Sequence, residues 1–338
     1  MCLEMVVTAR SSCGRISAIA WLLLGIVGAA YANAPSVNAA PGVPPAAPPD
    51  ASPADQLQDL LVETPEPKYV APTIRDQIGR IWAPVLINGR GPFRLVLDTG
   101  ASHSAVTALV ALALGIPLDQ SPPVMLRGVT GSATVPTIKV NNLSVGELDM
   151  VATVLPIVPD ALGGAEGILG YEGLSNKRIF IDFRHDKITI SYSRDDRTGL
   201  GFIKVPFKSL RGQLIVVGVM IDQIRVKAII DTGGQTTIAN LALRDALARH
   251  RRQLKGTPDQ IVGATKDIQE GEVIPMPAID FGSIQIKDSG VTFGDLFIFK
   301  QWDLTEEPAI LIGMDALGLF DALVIDYRRH ELEIRTRG

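Results

Sequence analysis

The feature that most constrains the fold of this 338-residue sequence is an internal duplication that begins after residue 73. In each copy, two β-rich runs joined by a turn lead directly into the triplet Asp-Thr-Gly, at 98–100 in the first copy and at 231–233 in the second. The turn of the first copy is Asn88-Gly89, which is a strong signal for a β-hairpin. A chain that repeats its own pattern in this way is expected to build two similar folding units.

The remainder of each copy repeats the same order of elements. A helical stretch is predicted after each triplet, at 104–114 and at 236–254, and an extended region with a glycine-containing turn follows it. Both copies then close with an apolar-apolar-glycine segment, ending at Gly170 and Gly313, and with a terminal hairpin. Short strands separated by turns, with one brief helix per copy, predict a mostly-β protein whose two β-barrel lobes are related by a pseudo-twofold axis.

These patterns divide the chain into five parts. The lobes are predicted to span 73–192 and 201–338, with a polar connection at 193–200 between them. Residues 1–32 are interpreted as a signal peptide. Residues 33–72, which are rich in Ala and Pro, predict a linker, and an inhibitory pro-segment is the alternative.

The interpretation of the leader depends on charge and length. An uncharged apolar run follows Arg10 and Arg15 and reaches a small-x-small sequence that ends at Ala32. This run is shorter than the stretch of about 18 to 20 apolar residues that a membrane span requires. The protein is therefore expected to be exported, to the periplasm or out of the cell, and anchoring in a membrane by an uncleaved leader is the alternative.

Charge and cysteine content exclude several classes of function. The formal net charge is −4 and no extended basic cluster is present, which argues against a nucleic-acid partner. Both cysteines, Cys2 and Cys13, lie in the expected leader, so the mature protein has no disulfide and no thiolate nucleophile or ligand. The sequence contains no Gly-x-Ser-x-Gly elbow. Its histidines show no metal-ligand spacing, so no metal and no cofactor is expected; they are His103, His185, His250 and His330.

The aspartates of the two triplets are the candidate catalytic residues. Each follows an apolar strand, where an ionised carboxyl is costly unless it is hydrogen-bonded or used in chemistry. If the lobes pack about a twofold axis, Asp98 and Asp231 face each other across it. Two carboxyls that close together hold one proton over a wide pH range, which places a general base beside a general acid. Such a pair can activate a water molecule and protonate a leaving amine.

The residues that follow each aspartate suit this role. Thr99 and Thr232 offer hydroxyls that can hydrogen-bond across the junction of the lobes. Gly100 and Gly233 allow backbone N–H groups to approach the carboxylates and permit a tight turn. A single Asp-Thr-Gly is often an ordinary turn, but two copies in matched contexts are a specific signal.

At these residues the sequence resembles the aspartic proteases, and specifically the retropepsin-like group in its single-chain, bacterial exported type with two Asp-Thr-Gly motifs. The resemblance covers nearly all of 81–334 and is most specific over 88–102, over 229–233 and at the two apolar-apolar-glycine segments. It implies an acid-protease fold, in which Asp98 and Asp231 are catalytic and each threonine joins a hydrogen-bond network beneath them.

The glycine-containing turns of the two copies lie where this family carries its flaps, the β-hairpins that close over a peptide substrate. Turn glycines without a functional role would look the same. The flap candidates are Gly128, Val129, Thr130 and Gly131 in the first copy, and Gly263 and Ala264 in the second.

The sequence departs from the pepsin-like enzymes at two places. Those enzymes usually have Ser or Thr directly after the glycine of each triplet, where this chain has Ala101 and Gly234, and they carry a flap tyrosine, which is absent between 124 and 137. With fewer donors to favour the charged form, the carboxyl pKa values should be less depressed, and the activity optimum should lie at weakly acidic or neutral pH.

The sequence therefore predicts a monomeric, exported aspartic endopeptidase that hydrolyses proteins or peptides with water activated between the two aspartates. Contact with a membrane is expected only if the leader is uncleaved. The alternative is a peptide-binding or scaffolding module that keeps the fold without hydrolysis.

Overall fold

The computed structural model describes residues 79–118, 121–146, 148–150, 154–160, 162–194, 199–251 and 254–336, together with the backbone of three short strands closer to the N-terminus. These three are β1 (Met5–Thr8), β2 (Ala18–Ile19) and β3 (Lys68–Pro72). The remaining residues of the expected leader and linker lie outside the described residues. Within the described residues, no helix has the length and apolar character needed to span a membrane.

The first lobe is mostly β, with one α-helix and one 3₁₀ turn at Tyr171–Gly173 among its described residues. Its elements are β4 (Trp82–Ile87), β5 (Arg90–Leu97), β6 (Ala105–Thr107), α1 (Ala108–Leu114), β7 (Val124–Arg127), β8 (Ser132–Val135), β9 (Thr137–Lys139), β10 (Leu143–Val145), β11 (Leu148–Met150), β12 (Val154–Val158), β13 (Gly167–Leu169), β14 (Lys177–Asp182) and β15 (Lys187–Tyr192).

The second lobe repeats this plan with three short helices. Its elements are β16 (Ile203–Pro206), β17 (Lys208–Leu210), β18 (Leu214–Ile221), β19 (Ile224–Ile230), β20 (Ile238–Ala239), α2 (Leu241–His250), β21 (Thr257–Val262), β22 (Ile268–Pro275), β23 (Ile279–Asp280), β24 (Ile284–Lys287), β25 (Gly290–Phe293), α3 (Phe297–Gln301), β26 (Ala309–Ile312), α4 (Met314–Leu317), β27 (Ala322–Asp326) and β28 (Glu331–Arg335). The predicted mostly-β, two-lobe fold class is confirmed.

Three large sheets account for most of the strands. The first lobe has an eight-stranded sheet in the order β11-β10-β4-β5-β13-β6-β12-β9 and a separate hairpin of β7 and β8. The second lobe has a twelve-stranded sheet, to whose two ends β1 and β2 add. A six-stranded sheet, ordered β16-β28-β27-β14-β15-β3, takes strands from both lobes. The terminal hairpins of the two copies thus pair directly through β14 and β27, which are antiparallel.

The strands that lead to the two aspartates show why the repeat folds in this way. Both β5 and β19 begin with more exposed residues and end in the same pattern, one buried residue, one exposed residue and then three buried residues. At that end each strand lies between its hairpin partner and a parallel strand, β13 beside β5 and β26 beside β19. A strand enclosed by neighbours on both edges and covered on both faces is expected to be continuously apolar there.

The predicted hairpin turn is present, and both predicted helices begin a few residues later than expected. Asn88 and Gly89 both have positive φ, 52° and 71°, as a two-residue hairpin of this kind requires. The helix predicted at 104–114 begins at Ala108, because Ala105–Thr107 is a buried strand that pairs with β12 and β13. The helix predicted at 236–254 begins at Leu241, where the Asn240 side chain caps it by accepting the N–H of Leu243.

One strand that pairs with the first lobe lies N-terminal to the predicted start of that lobe. Residues 68–72, at the end of the segment that the sequence assigns to the linker, form β3 and pair with β15. Residues 195–198 of the predicted connection between the lobes lie outside the described residues.

Candidate active site

Each aspartate of the repeated triplet is the first residue after a buried strand. The backbone N–H of Asp98 donates to the carbonyl of Leu169, and that of Asp231 donates to the carbonyl of Ile312, each at 3.0 Å. Leu169 and Ile312 directly precede the glycines of the two apolar-apolar-glycine segments. The repeat therefore anchors both aspartates in the same way, on the parallel neighbour of the strand that carries them.

The two carboxyl groups lie together at the junction of the lobes. Asp98 is 1% exposed and Asp231 is 0% exposed, and the Oδ1 atoms of both lie within about 3.2 Å of the point that a Cβ at Gly100 would occupy. The Oδ1 atom of each also accepts two backbone N–H groups, from Gly100 (2.8 Å) and Ala101 (3.0 Å) on Asp98, and from Gly233 (2.9 Å) and Gly234 (3.0 Å) on Asp231. Ala101 and Gly234 thus supply a backbone donor where the pepsin-like enzymes add a hydroxyl.

The glycines of the triplets are required by the close approach of the opposite lobe. A Cβ at Gly100 would lie only 2.9 Å from Oδ1 of Asp231. A Cβ at Gly233 would overlap the carboxyl of Asp98. Any larger residue at either position would therefore push the two carboxyls apart.

The threonines of the triplets hydrogen-bond reciprocally across the junction. The Thr99 hydroxyl donates to the carbonyl of Ile230 at 2.7 Å and accepts the backbone N–H of Thr232 at 3.1 Å. The Thr232 hydroxyl donates to the carbonyl of Leu97 at 2.7 Å and accepts the backbone N–H of Thr99 at 3.1 Å. Each lobe thereby holds the strand end that carries the other lobe's aspartate.

Burial is the largest influence on the pKa values of the two carboxyls. It raises the pKa of Asp98 well above its ordinary value, and the neighbouring charge of Asp231 raises it further, against the opposing effect of two backbone N–H groups. Burial raises the pKa of Asp231 to about 7, although the backbone N–H groups of Gly233 and Gly234 act in the opposite direction. The pair therefore retains a proton at neutral pH, as general acid–base use of two carboxyls requires.

The turns predicted as flaps meet each other in the structure. The first turn joins β7 to β8 and the second joins β21 to β22. The Cα of Gly128 packs so closely that a Cβ there would lie 3.4 Å from the backbone nitrogen of Ala264, and a Cβ at Gly263 would lie 3.1 Å from that of Thr130. The tips of the two hairpins are therefore in direct contact.

Each of the two turns predicted as flaps is buried against the lobe opposite to its own. Val129 is 0% exposed and belongs to an apolar cluster of second-lobe residues that includes Ile229 and Leu311. Its carbonyl accepts the backbone N–H of Ile298 at 3.1 Å. Ala264, from the second lobe, belongs to a cluster of first-lobe residues that includes Ala101. The two hairpin turns thus cross, and both reach apolar residues next to the aspartate loops.

A pair of acidic residues that the sequence analysis did not single out also supports the loops. Glu172 and Asp315 each lie two residues after the glycine of an apolar-apolar-glycine segment. Glu172 accepts the N–H of Ser104 at 2.7 Å and contacts Nδ1 of His103 at 2.6 Å. Asp315 accepts the N–H of Thr237 at 3.0 Å and its hydroxyl at 2.7 Å. Their matched positions in the two copies were the signal that could have identified them.

Two of the remaining histidines lie in the turns of the terminal hairpins. His185 lies in the exposed turn of the first terminal hairpin, where its ring contacts Asp182, and His330 lies in the turn of the second. Among the residues that the structure describes, no three His, Cys, Asp or Glu side chains form a group suited to hold a metal ion.

The comparison with known protein families finds a match within the first lobe. Residues 83–172 match the family model for aspartyl proteases, a stretch that runs from β4 through the first Asp-Thr-Gly to Glu172. This part of the chain is similar to aspartyl proteases. Among solved structures, the chain is similar to conglutin gamma, a basic 7S globulin from lupine seeds, with 12% identity, a TM-score of 0.46 and coverage of 81% of this chain and 96% of that one. No curated protein matches the chain in sequence.

Proposed function

We propose that this protein is an aspartic endopeptidase, which hydrolyses peptide bonds with a water molecule activated between Asp98 and Asp231. The observation that carries the proposal is the close approach of two buried carboxyls, each of which comes from the same point of a repeated unit. The match of the first lobe to aspartyl proteases supports the same reaction class.

The chemistry follows from a pair that holds one proton. The ionised carboxyl removes a proton from water as the water oxygen attacks the scissile carbonyl carbon, and the protonated carboxyl donates to the carbonyl oxygen. The resulting tetrahedral diol collapses when the carboxyl that now holds the proton donates it to the nitrogen, the other carboxylate takes a hydroxyl proton from the diol, and the C–N bond breaks. The amine leaves, the new carboxylic acid remains, and the pair again holds one proton, so no covalent intermediate is formed.

The flaps suggest how a substrate would be held. An extended peptide would lie between the lobes beneath the two hairpins and pair with them through backbone hydrogen bonds, with its side chains in apolar pockets. Because Val129 and Ala264 are buried in the opposite lobes, the hairpins must separate before a peptide can reach the aspartates. Such gating is common where a lid covers a reacting centre.

The test is cleavage of a denatured protein substrate by the purified chain, with and without a pepstatin-type inhibitor. Asp98→Asn and Asp231→Asn should each reduce the cleavage rate by about 10²- to 10⁴-fold while leaving the circular dichroism spectrum unchanged. Asp295→Asn, which alters an exposed ion pair with Lys300, is the matched control and should keep full activity. Binding of the peptide without cleavage by the wild-type protein would instead favour a scaffolding role.

The pH profile provides a second test of the same proposal. Since burial raises the pKa values of both carboxyls, activity should be highest at weakly acidic or neutral pH. A rate that still rises below pH 3 would contradict this account of the pair.

The leader-like N-terminus supports the proposal that the protein is exported and acts in the periplasm or outside the cell. Fractionation of cells that produce the full chain, with mass spectrometry of its mature N-terminus, tests this. Cleavage after Ala32 is the expected result, and a protein retained intact in the membrane fraction would favour the anchored alternative.

A further inference from the structure

The loops that follow the two aspartates are built alike along the backbone. In the first loop, the N–H of Glu172 donates to the carbonyl of Ser102 at 3.2 Å. In the second, the N–H of Asp315 donates to the carbonyl of Gln235 at 3.1 Å. Equivalent positions of a repeated unit lie on opposite sides of the axis that relates the copies. A difference between the side chains of the two loops is therefore a difference between the two sides of the dyad.

The side chains of the first loop are bonded within the protein. Ser102 is 4% exposed, and its hydroxyl accepts a hydrogen bond from Nε2 of Gln213 at 2.5 Å. Gln213 belongs to the second lobe, so this bond bridges the lobes on that side of the dyad. The next residue of the loop, His103, contacts the carboxylate of Glu172 at 2.6 Å. Both side chains are thus already used.

The equivalent side chains of the second loop lack such partners. Oε1 of Gln235 and Oγ1 of Thr236 are buried, and neither has a hydrogen-bond partner among the residues that the structure describes. Both residues are only half-buried as a whole, so their side chains also reach the surface. An unsatisfied buried polar atom is costly, and in a folded protein it calls for an explanation such as a bound molecule.

The strand register explains why this side has no bridge. Trp82 and Val216 each pair with the residue that lies two positions before a triplet aspartate. Counting three residues back from them gives Gly79 in the first lobe and Gln213 in the second. Gly79 has no side chain to reach the opposite loop, and a Cβ there would meet nothing within 4 Å. One side of the dyad is therefore bridged and the other is left open.

The unpartnered oxygens of the second loop continue directly from the dyad. Oδ2 of Asp231 is also buried without a partner among the described residues, and a Cβ at Gly234 would lie 2.9 Å from it. Gln235 and Thr236 follow Gly234 in the chain. A carboxamide oxygen and a hydroxyl are neutral groups that accept hydrogen bonds from N–H donors. The chemistry that fits them is an amide N–H.

We propose that Gln235 and Thr236 bind an amide group of the peptide substrate, on one side of the scissile bond only. The equivalent side chains of the first loop are occupied within the protein and do not take part. This inference rests on the proposed peptidase function. The two residues determine which end of a peptide is held, and the amide belongs either to the peptide main chain or to an Asn or Gln side chain of the substrate.

The binding test uses the Asp98→Asn chain, because it needs no turnover, and fluorescent peptides taken from the denatured protein substrate. Shortening the peptide from one end should weaken binding about tenfold more than shortening it from the other. In the same chain with Gln235→Ala and Thr236→Val, this one-sided loss should disappear. A one-sided loss that persists in that variant would overturn the proposal, and so would equal losses from both ends before it is made.

Altered peptides identify the source of the amide. Methylation of single backbone nitrogens removes main-chain donors one at a time, and replacement of Asn or Gln by Ala removes side-chain donors. A loss of binding on methylation at one position assigns the contact to the main chain. A loss only on replacement of a side chain assigns it to that side chain, and no loss in either series would overturn the proposal.

Stability separates a binding role from a structural one. Gln235→Ala removes an acceptor that has no partner among the described residues, so the urea midpoint should not fall, whereas Ser102→Ala breaks the bond to Gln213 and should lower it. An equal fall in both variants would overturn the proposal. Cleavage without one-sided binding would reject this inference and keep the peptidase. One-sided binding without cleavage by the wild type would do the reverse.

Discussion

At the scale of single residues, the candidate site consists of small side chains and backbone N–H donors, and larger side chains would not fit at the two triplet glycines. The carboxyls of Asp98 and Asp231 are satisfied mainly by backbone N–H groups, and the two glycines of the triplets make room for the aspartate of the opposite lobe. The sequence could predict these roles because each depends on a residue type at a fixed distance from the aspartate.

Replacement of Gly233 tests the close approach of the lobes. A methyl group at this position overlaps the carboxyl of Asp98, so Gly233→Ala should separate the pair, reduce cleavage by at least about 10²-fold and lower the free energy of unfolding. Gly218→Ala is the matched control, because a Cβ there meets nothing within 4 Å and lies in an exposed part of β18. Activity assays and urea unfolding measure the cleavage rate and the free energy of unfolding of both variants. Equal values for Gly233→Ala and Gly218→Ala would argue against the close approach of the lobes at Gly233.

The threonine pair gives a second prediction at this scale. Thr99→Val keeps the shape of the side chain but leaves the carbonyl of Ile230 and the N–H of Thr232 without their partner. An unsatisfied buried polar group costs about 1–3 kcal/mol, so the free energy of unfolding should fall by that amount. The exposed Thr257→Val should change little. An unchanged urea midpoint for Thr99→Val would show that the junction does not depend on this hydroxyl.

At the scale of elements, the sequence predicts what depends on local pattern and misses what depends on distant partners. The hairpins that lead to the aspartates follow from the paired β-rich runs and, in the first copy, from Asn88-Gly89. The segment Ala105–Thr107 has the apolar content of a helix, and only its pairing with β12 and β13 makes it a strand. The crossing of the flaps likewise could not be predicted, because it depends on apolar clusters of the opposite lobe that form only after folding.

The crossed flaps lead to a prediction about this element. Val129→Asp would bury a charge in the second-lobe cluster, so the first hairpin should detach from it. Hydrogen exchange of the amides at 128–131 should become faster, and kcat/KM should fall because the closed state is lost. Met125→Asp, on the same hairpin but 45% exposed, is the control and should leave the exchange unchanged. Equal protection of the turn in both variants would contradict the crossed arrangement.

At the scale of the whole molecule, the duplication accounts for both the architecture and the placement of the site. The terminal hairpins of the two copies pair in one sheet, through Ile179 opposite Ile325 among others, while the aspartates meet at the junction. The meeting of Asp98 and Asp231 could be predicted from the repeat alone. The burial of Arg80, which is 1% exposed just before β4, could not be predicted, because an arginine before a strand is usually solvated and nothing in the local pattern places it inside.

The raised carboxyl pKa values have a consequence for global stability. The folded pair holds a proton that the unfolded chain releases near the ordinary value of 3.8, so its stabilising contribution is complete below that pH and is lost as pH rises through about 7. The free energy of unfolding of the wild type should therefore fall by a few kcal/mol between these limits relative to that of Asp231→Asn. Urea unfolding of the wild type and of Asp231→Asn across this pH range measures the difference. If the free energies of unfolding of the two proteins change in parallel with pH, the prediction is contradicted.

The central claim, that each copy contributes one carboxyl and that only the pair forms a site, is tested most directly by a comparison of three variants. The cleavage rates of Asp98→Asn, Asp231→Asn and the double variant are measured on one denatured substrate at the wild-type pH optimum. Because the two groups act as a unit, each single variant should lose about as much activity as the double variant. A single variant that retains wild-type activity would contradict the claim.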